Sequence, residues 1–264
     1  ILEASSPAQG LFGKGFKFSP NIDGYVLPEH PWKIFEEGKQ ADVPFITGIN
    51  KDEGTIFLTQ LKIKRKIGYQ WFIKNFFESN SDEILNLYKA DADDVPKKLS
   101  ELVTDMAFLT PAKFAVRSAS KKNGKAYFYY FTRVPEFAAK KAVGAFHGLE
   151  IGYVFGNLDK GRLLFDETDL KVSSAMNNYW ANFAKTGNPN SDSRTLYWQA
   201  FDPEKDNYIE FGNDIKQATG LRKEESQLFE KLYSERMKKV VNEDFSLRAL
   251  DDDITDFKIP GLLD

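Results

Sequence analysis

The chain has 264 residues, a formal net charge of −3, two histidines and no cysteine. That length can bury a large core in one or two domains, and a charge so close to neutral supplies no electrostatic drive toward nucleic acid or an anionic membrane. The absence of cysteine removes disulfides, thiol nucleophiles and thiolate metal sites, and two histidines are too few for a His-rich zinc centre.

No apolar run approaches the roughly 20 residues that span a bilayer as a helix. The stretch from Ser5 to Ser19 is polar and glycine-rich, with neither strand nor helix period. Asn21-Ile22-Asp23-Gly24 reads as a turn whose glycine suits positive φ. His30 precedes Pro31 and an amphipathic Trp32-Ile34-Phe35 segment that predicts a short helix; with no acidic partner at motif spacing, it reads as a surface or packing residue. Val43 to Ile49 is a short apolar run of the kind that makes a buried strand. It delivers Gly48-Ile49-Asn50-Lys51-Asp52-Glu53-Gly54, after which Thr55 to Leu58 turns helical. A carboxylate leaving a strand end is well placed for catalysis, and equally placed to cap the helical turn that follows. The residues alone do not choose between Asp52 and Glu53.

The basic run Lys62-Ile63-Lys64-Arg65-Lys66 reads as a solvated turn or helix end. From Tyr69 to about Ser120 the apolar period is helical, with Ile84, Leu85, Leu87 and Tyr88 in one segment and Leu99, Leu102, Val103, Met106 and Phe108 in another. Asp91 to Pro96 reads as a loop ending at a helix start, since the glycine and distant glutamate of a calcium loop are absent. Thr110-Pro111 is expected to bend or restart the helix.

Ala126 to Thr132 is the strongest strand signal, a run of aromatics bracketed by Asn123-Gly124 and Pro135. The following loop leads to Gly144-Ala145-Phe146-His147-Gly148-Leu149-Glu150-Ile151, where glycines flank a histidine and leave its backbone free to approach a reacting centre. Glycines four apart from 144 to 156 also fit a membrane-helix contact, but the charged residues within and after them favour a close-packed loop and helix start. Ser173 to Lys185 is an amphipathic helix stopped by Thr186-Gly187-Asn188-Pro189. Asn207 to Phe211 reads as a final strand at a sheet edge, and Glu224 to Val241 as a charged closing helix.

Gly48 to Gly54, Gly144 to Ile151 and Phe183 to Pro189, with Asp23-Gly24 and Leu27-Pro28 before them, resemble the type-B carboxylesterase and cholinesterase family of α/β-hydrolases. The resemblance covers about residues 16–235. It implies an α/β fold with a mostly parallel sheet flanked by helices, and ester hydrolysis by a Ser-His-Glu triad through an acyl-enzyme. In the family pattern Glu53 is the triad acid and His147 the base, while Ile56, Phe57 and Leu149 fall at pocket positions; Glu150, one helical turn after His147, is placed to support its loop. The cholinesterase counterparts of Ile56 and Leu149 are typically aromatic and hold choline, so this chain better matches an esterase for neutral small-molecule esters. No metal or organic cofactor is implied.

The sequence contains no Gly-x-Ser-x-Gly elbow and no His-Gly-Gly-Gly oxyanion loop. The chain is therefore expected to be the C-terminal part of a larger hydrolase, with the nucleophile on an upstream half that is its partner. Residues 1–240 are expected to belong to that hydrolase domain and 241–264 to form a mobile acidic tail. The rival reading is a non-catalytic, cholinesterase-like adhesion or binding module.

Overall fold

The computed structural model describes residues 21–58, 63–158, 164–190 and 195–242. Four strands form one sheet in the order β1 (Phe45–Asn50), β2 (Ala126–Phe131), β3 (Asn207–Phe211) and β4 (Ile215–Thr219). The first three run parallel and β4 returns antiparallel to β3. This is the mostly parallel, helix-flanked architecture the resemblance implies.

Alternation along β2 builds both faces of the sheet. Tyr127, Tyr129 and Phe131 pack with Tyr153, Met176, Tyr179 and Trp198 on one side; Ala126, Phe128 and Tyr130 pack with Leu109, Val116, Phe201 and Tyr208 on the other. Gly48 lies opposite Tyr129 in the register, and a Cβ there would come within 2.3 Å of the tyrosine ring, so glycine lets β1 and β2 pair beneath that ring.

Before the sheet, α1 (Pro31–Glu36) is capped by His30, whose Nδ1 accepts from the Trp32 N–H at 3.2 Å. His30 is half-buried and its pKa is lowered by burial. After β1, helices α2 (Lys66–Phe77), α3 (Ser81–Leu87) and α4 (Val95–Thr104) enclose a core of Tyr69, Phe72, Ile73, Ile84, Leu99 and Val103. The helix continues through a π-helical turn, Asp105–Leu109, into α5 (Thr110–Asn123). Pro111 explains the wide turn: it has no N–H to give, and its ring would strike the carbonyl of residue 107 in a regular helix. The Asp105 carbonyl accepts both the Thr110 N–H and the Thr110 hydroxyl, the latter at 2.8 Å.

After β2 come α6 (Glu136–Lys140), α7 (Leu149–Val154) and α8 (Glu167–Thr186), and after β4 the closing α9 (Lys223–Asn242). Helix α8 starts earlier than the apolar period predicts, because Asp166 and Asp169 bond each other's backbone N–H groups at 2.9 and 2.8 Å. It ends at Gly187, in left-handed backbone with φ 72°, where the Gly-Asn-Pro stop places it.

Asn207–Phe211 is not an edge strand, since β4 pairs along its whole length through a turn at 212–214. The run Ile215-Lys216-Gln217-Ala218-Thr219 is half-exposed and mostly polar, so its pattern carries little strand signal. Of the tail expected over 241–264, residues 241 and 242 belong to α9, and the rest lies outside the described residues. No described helix is long and apolar enough to cross a membrane.

Candidate active site

The C-terminal ends of β1 and β2 hold the site. Beyond Asn50 the chain continues beside β2, with the Lys51 N–H donating to the Phe131 carbonyl at 2.9 Å. It then pairs with the loop after α6: the Asp52 N–H donates to the Ala145 carbonyl at 3.0 Å, and Asp52 bridges Phe146 in parallel sense. The Asp52 carboxylate accepts the Ala145 N–H at 2.8 Å. Gly144 makes this approach possible. Its φ is +65°, and a Cβ there would sit 2.2 Å from Asp52 Oδ2. Gly148, at φ +81°, turns the chain into α7 directly after His147.

Glu53 opens a 3-10 turn, Glu53–Leu58, and its side chain folds back to the strand end. Oε1 accepts the Asn50 N–H at 2.8 Å, and Oε2 lies 2.6 Å from His147 Nδ1. The choice left open between the two acids is thus a geometric one: Asp52 fastens the loop and Glu53 meets the imidazole. Glu53 is 5% exposed. Burial raises its pKa and outweighs the opposing hydrogen bonds from Asn50 and His147, with Glu150 adding a small like-charge push in the same direction.

The His147 side chain remains 47% exposed, and among the described residues no hydrogen bond engages Nε2. A buried carboxylate on Nδ1 fixes the tautomer with the proton on that nitrogen and leaves Nε2 as a base. Two phenylalanines hold the ring, Phe57 at 5.2 Å and Phe108 at 5.1 Å between centroids. Phe108 comes from the π-helical turn and stacks on Phe57 at 5.6 Å.

Glu150 lies in the first turn of α7, within hydrogen-bonding contact of Asn50 Nδ2. Ile56 is half-buried in the 3-10 turn beside Phe57. Leu149 is 8% exposed and packs into the core with Phe131, Tyr153 and Met176. Asn50 and Phe108 were not among the sequence candidates. An asparagine closing an apolar strand was the available signal for the first, since a buried amide must find partners; nothing local marks the second.

A cleft of about 980 Å³ opens beside the site, lined among others by Asp52, Thr55, Tyr130, Gly144 and Arg222. Neither Glu53 nor His147 lines it. It lies on the Asp52 side of the joined loops.

Comparison with known proteins gives the family. Residues 3–229 match the model of the carboxylesterase family. Carboxylesterase 1C of Rattus norvegicus is 33% identical over 226 residues, which is 77% of this chain and 40% of the relative. The liver carboxylesterase of Sus scrofa is 31% identical over 238 residues, 83% of this chain and 41% of the relative. An acetylcholinesterase of Leptinotarsa decemlineata is 27% identical over 220 residues, 76% of this chain and 35% of the relative. The chain thus spans about 40% of the length of the carboxylesterases it matches. With the family model matched over most of its residues, the chain belongs to the carboxylesterase family.

Proposed function

We propose that this chain supplies the acid and the base of an ester-hydrolysing Ser-His-Glu triad, and that the serine comes from residues upstream of it in a longer protein. The observation that carries the reading is the 2.6 Å contact of His147 Nδ1 with a buried Glu53 that is itself anchored by a backbone N–H. Family membership supports ester hydrolysis as the reaction class, and the absence of any Gly-x-Ser-x-Gly in the sequence directs the nucleophile elsewhere.

In the reaction, the serine oxygen attacks the ester carbonyl while its proton passes to His147 Nε2. Collapse of the tetrahedral intermediate breaks the bond to the alkoxy oxygen, which leaves as the alcohol with the proton from Nε2. Water then attacks the acyl-enzyme by the same route and releases the acid and the free serine. Throughout, Glu53 accepts from Nδ1, orients the ring and stabilises the imidazolium formed in each half-reaction. These steps need no metal or organic cofactor.

The edge of β1 supports the division of the triad between two parts. Among the described residues β1 pairs only with β2, and Phe45 to Gly48 are half-exposed. An unpaired edge of this kind is a template for another strand. A fluorophosphonate serine probe is expected to leave the 264-residue chain unlabelled. On the complete protein it is expected to label one upstream serine stoichiometrically. Stoichiometric labelling of the 264-residue chain would place the nucleophile among its own serines and overturn the proposal.

In the family resemblance Ile56 and Leu149 match cholinesterase positions that are typically aromatic, and without ring faces there a quaternary ammonium loses its cation–π partners. The complete protein is therefore expected to show a higher kcat/KM for an aryl butyrate than for butyrylcholine. A choline preference would mean that other residues form the cation site.

A further inference from the structure

We propose that Asn50 is a positioning residue, which holds the histidine loop in register with the acid through its side-chain amide. The inference rests on the triad reading above and deepens it. Asn50 is the last residue of β1 and is fully buried. Its backbone N–H anchors Glu53 Oε1 at 2.8 Å. Its Nδ2 donates to the Phe146 carbonyl at 2.8 Å and to Glu150 Oε2. One residue therefore grips the acid, the residue before the base and the carboxylate one helical turn after it.

The side chain has to be a neutral donor. Glu53 and Glu150 are close enough for the charge of one to act on the other. An aspartate at position 50 would add a third negative group and lose both donated hydrogens. A cationic side chain would compete with His147 for Glu53. The amide instead satisfies Glu150 and the Phe146 carbonyl without adding charge, so that Glu53 Oε2 is left for the imidazole. Asn50 Oδ1 is buried and has no donor among the described residues, so the role is carried by Nδ2.

The test uses the complete protein with Asn50→Asp, Asn50→Ser, the double variant Asn50→Asp/Glu150→Gln and, as a reference, His147→Ala. Two quantities are read from each: steady-state kinetics on an aryl butyrate, and the low-field proton resonance of His147 Nδ1–H, identified by its loss in His147→Ala. A loop displaced by about 1 Å costs on the order of 10²-fold in rate. Asn50→Asp is expected to lower kcat by about that factor, with KM within about twofold, and to shift or broaden the resonance. Asn50→Ser is small enough for the same space and too short to span both acceptors, and is expected to lose about tenfold. In the double variant the donor and acceptor are exchanged, and about tenfold of the loss should return with the resonance sharpened.

Folded Asn50→Asp and Asn50→Ser proteins with wild-type kcat and an unmoved resonance would overturn the proposal. If Asn50→Asp does not fold, Asn50→Ser decides by the same two readings. Failure of the triad reading itself has a different signature, full activity in His147→Ala, and takes the positioning role with it.

Discussion

Replacing Glu53 with glutamine in the complete protein is expected to lower kcat by about four orders of magnitude, and replacing His147 with alanine by about six. The two losses differ in origin. Alanine removes the base. Glutamine keeps the shape, but its amide can donate to Nδ1, which leaves the ring proton on Nε2 and the base in the wrong tautomer. Stability should move the other way for Glu53. Its folded-state pKa lies above the unfolded value because burial dominates. As pH rises through the interval between those two values, the unfolded chain gives up the proton first and folded stability falls. Above that interval the buried charge is a cost that glutamine removes, so Glu53→Gln is expected to keep or raise Tm at pH 8 while losing activity. Measured kcat and calorimetric Tm check both arms. Wild-type kcat in folded Glu53→Gln would remove Glu53 from the acid role.

Much of this site could be read from the chain because the elements that carry it are locally coded. The apolar runs ending at Ile49 and Phe131 predict the two strands, and the glycines at 144 and 148 predict a tight loop around His147. Left-handed backbone at both glycines, and the close approach of Asp52 to Gly144, give the physical reason. What stayed hidden depends on contacts between distant segments. Asp52 and Glu53 are adjacent in sequence, and only their partners 93 and 94 positions away separate the carboxylate that fastens the loop from the one that meets the imidazole. Phe108 reaches the imidazole because Pro111 forces a π-helical turn before it, a geometric result that no apolar period encodes. The start of α8 carries little sequence signal because its reciprocal cap is built from two aspartates instead of the Ser/Thr and Glu/Gln pair that marks most such boxes.

That same π-helical turn rests on a buried ion pair, and breaking it is expected to produce the largest loss of stability. Asp105 has no exposed surface. It accepts from the Tyr88 hydroxyl at 2.6 Å and from Arg222 Nε and Nη2 at 2.7 and 2.6 Å. Burial raises its pKa to about 6 even with Arg222 and Tyr88 opposing the rise and Glu225 adding a weaker push upward. Arg222→Met would leave a carboxylate in the interior with only a phenol as partner. Removing one member of such a pair costs about 3–5 kcal/mol, so Arg222→Met should lower the Tm of the complete protein by many degrees at pH 8. The pH dependence has a definite sign. Asp105 already binds its proton more tightly in the folded state than an ordinary aspartate does, and loss of Arg222 raises the folded pKa further. Between those values the folded protein holds a proton that the unfolded chain has released, and stability rises as pH falls. The Tm gap between Arg222→Met and wild type should therefore narrow from pH 8 to pH 5, where a protonated Asp105 no longer needs a cation. Asp105→Leu/Arg222→Met removes both charges, and is expected to recover most of the loss at pH 8, because an apolar replacement of a whole buried pair is often neutral. An Arg222→Met protein whose Tm gap is small, or widens toward pH 5, would show that the pair does not hold the turn that brings Phe108 to His147.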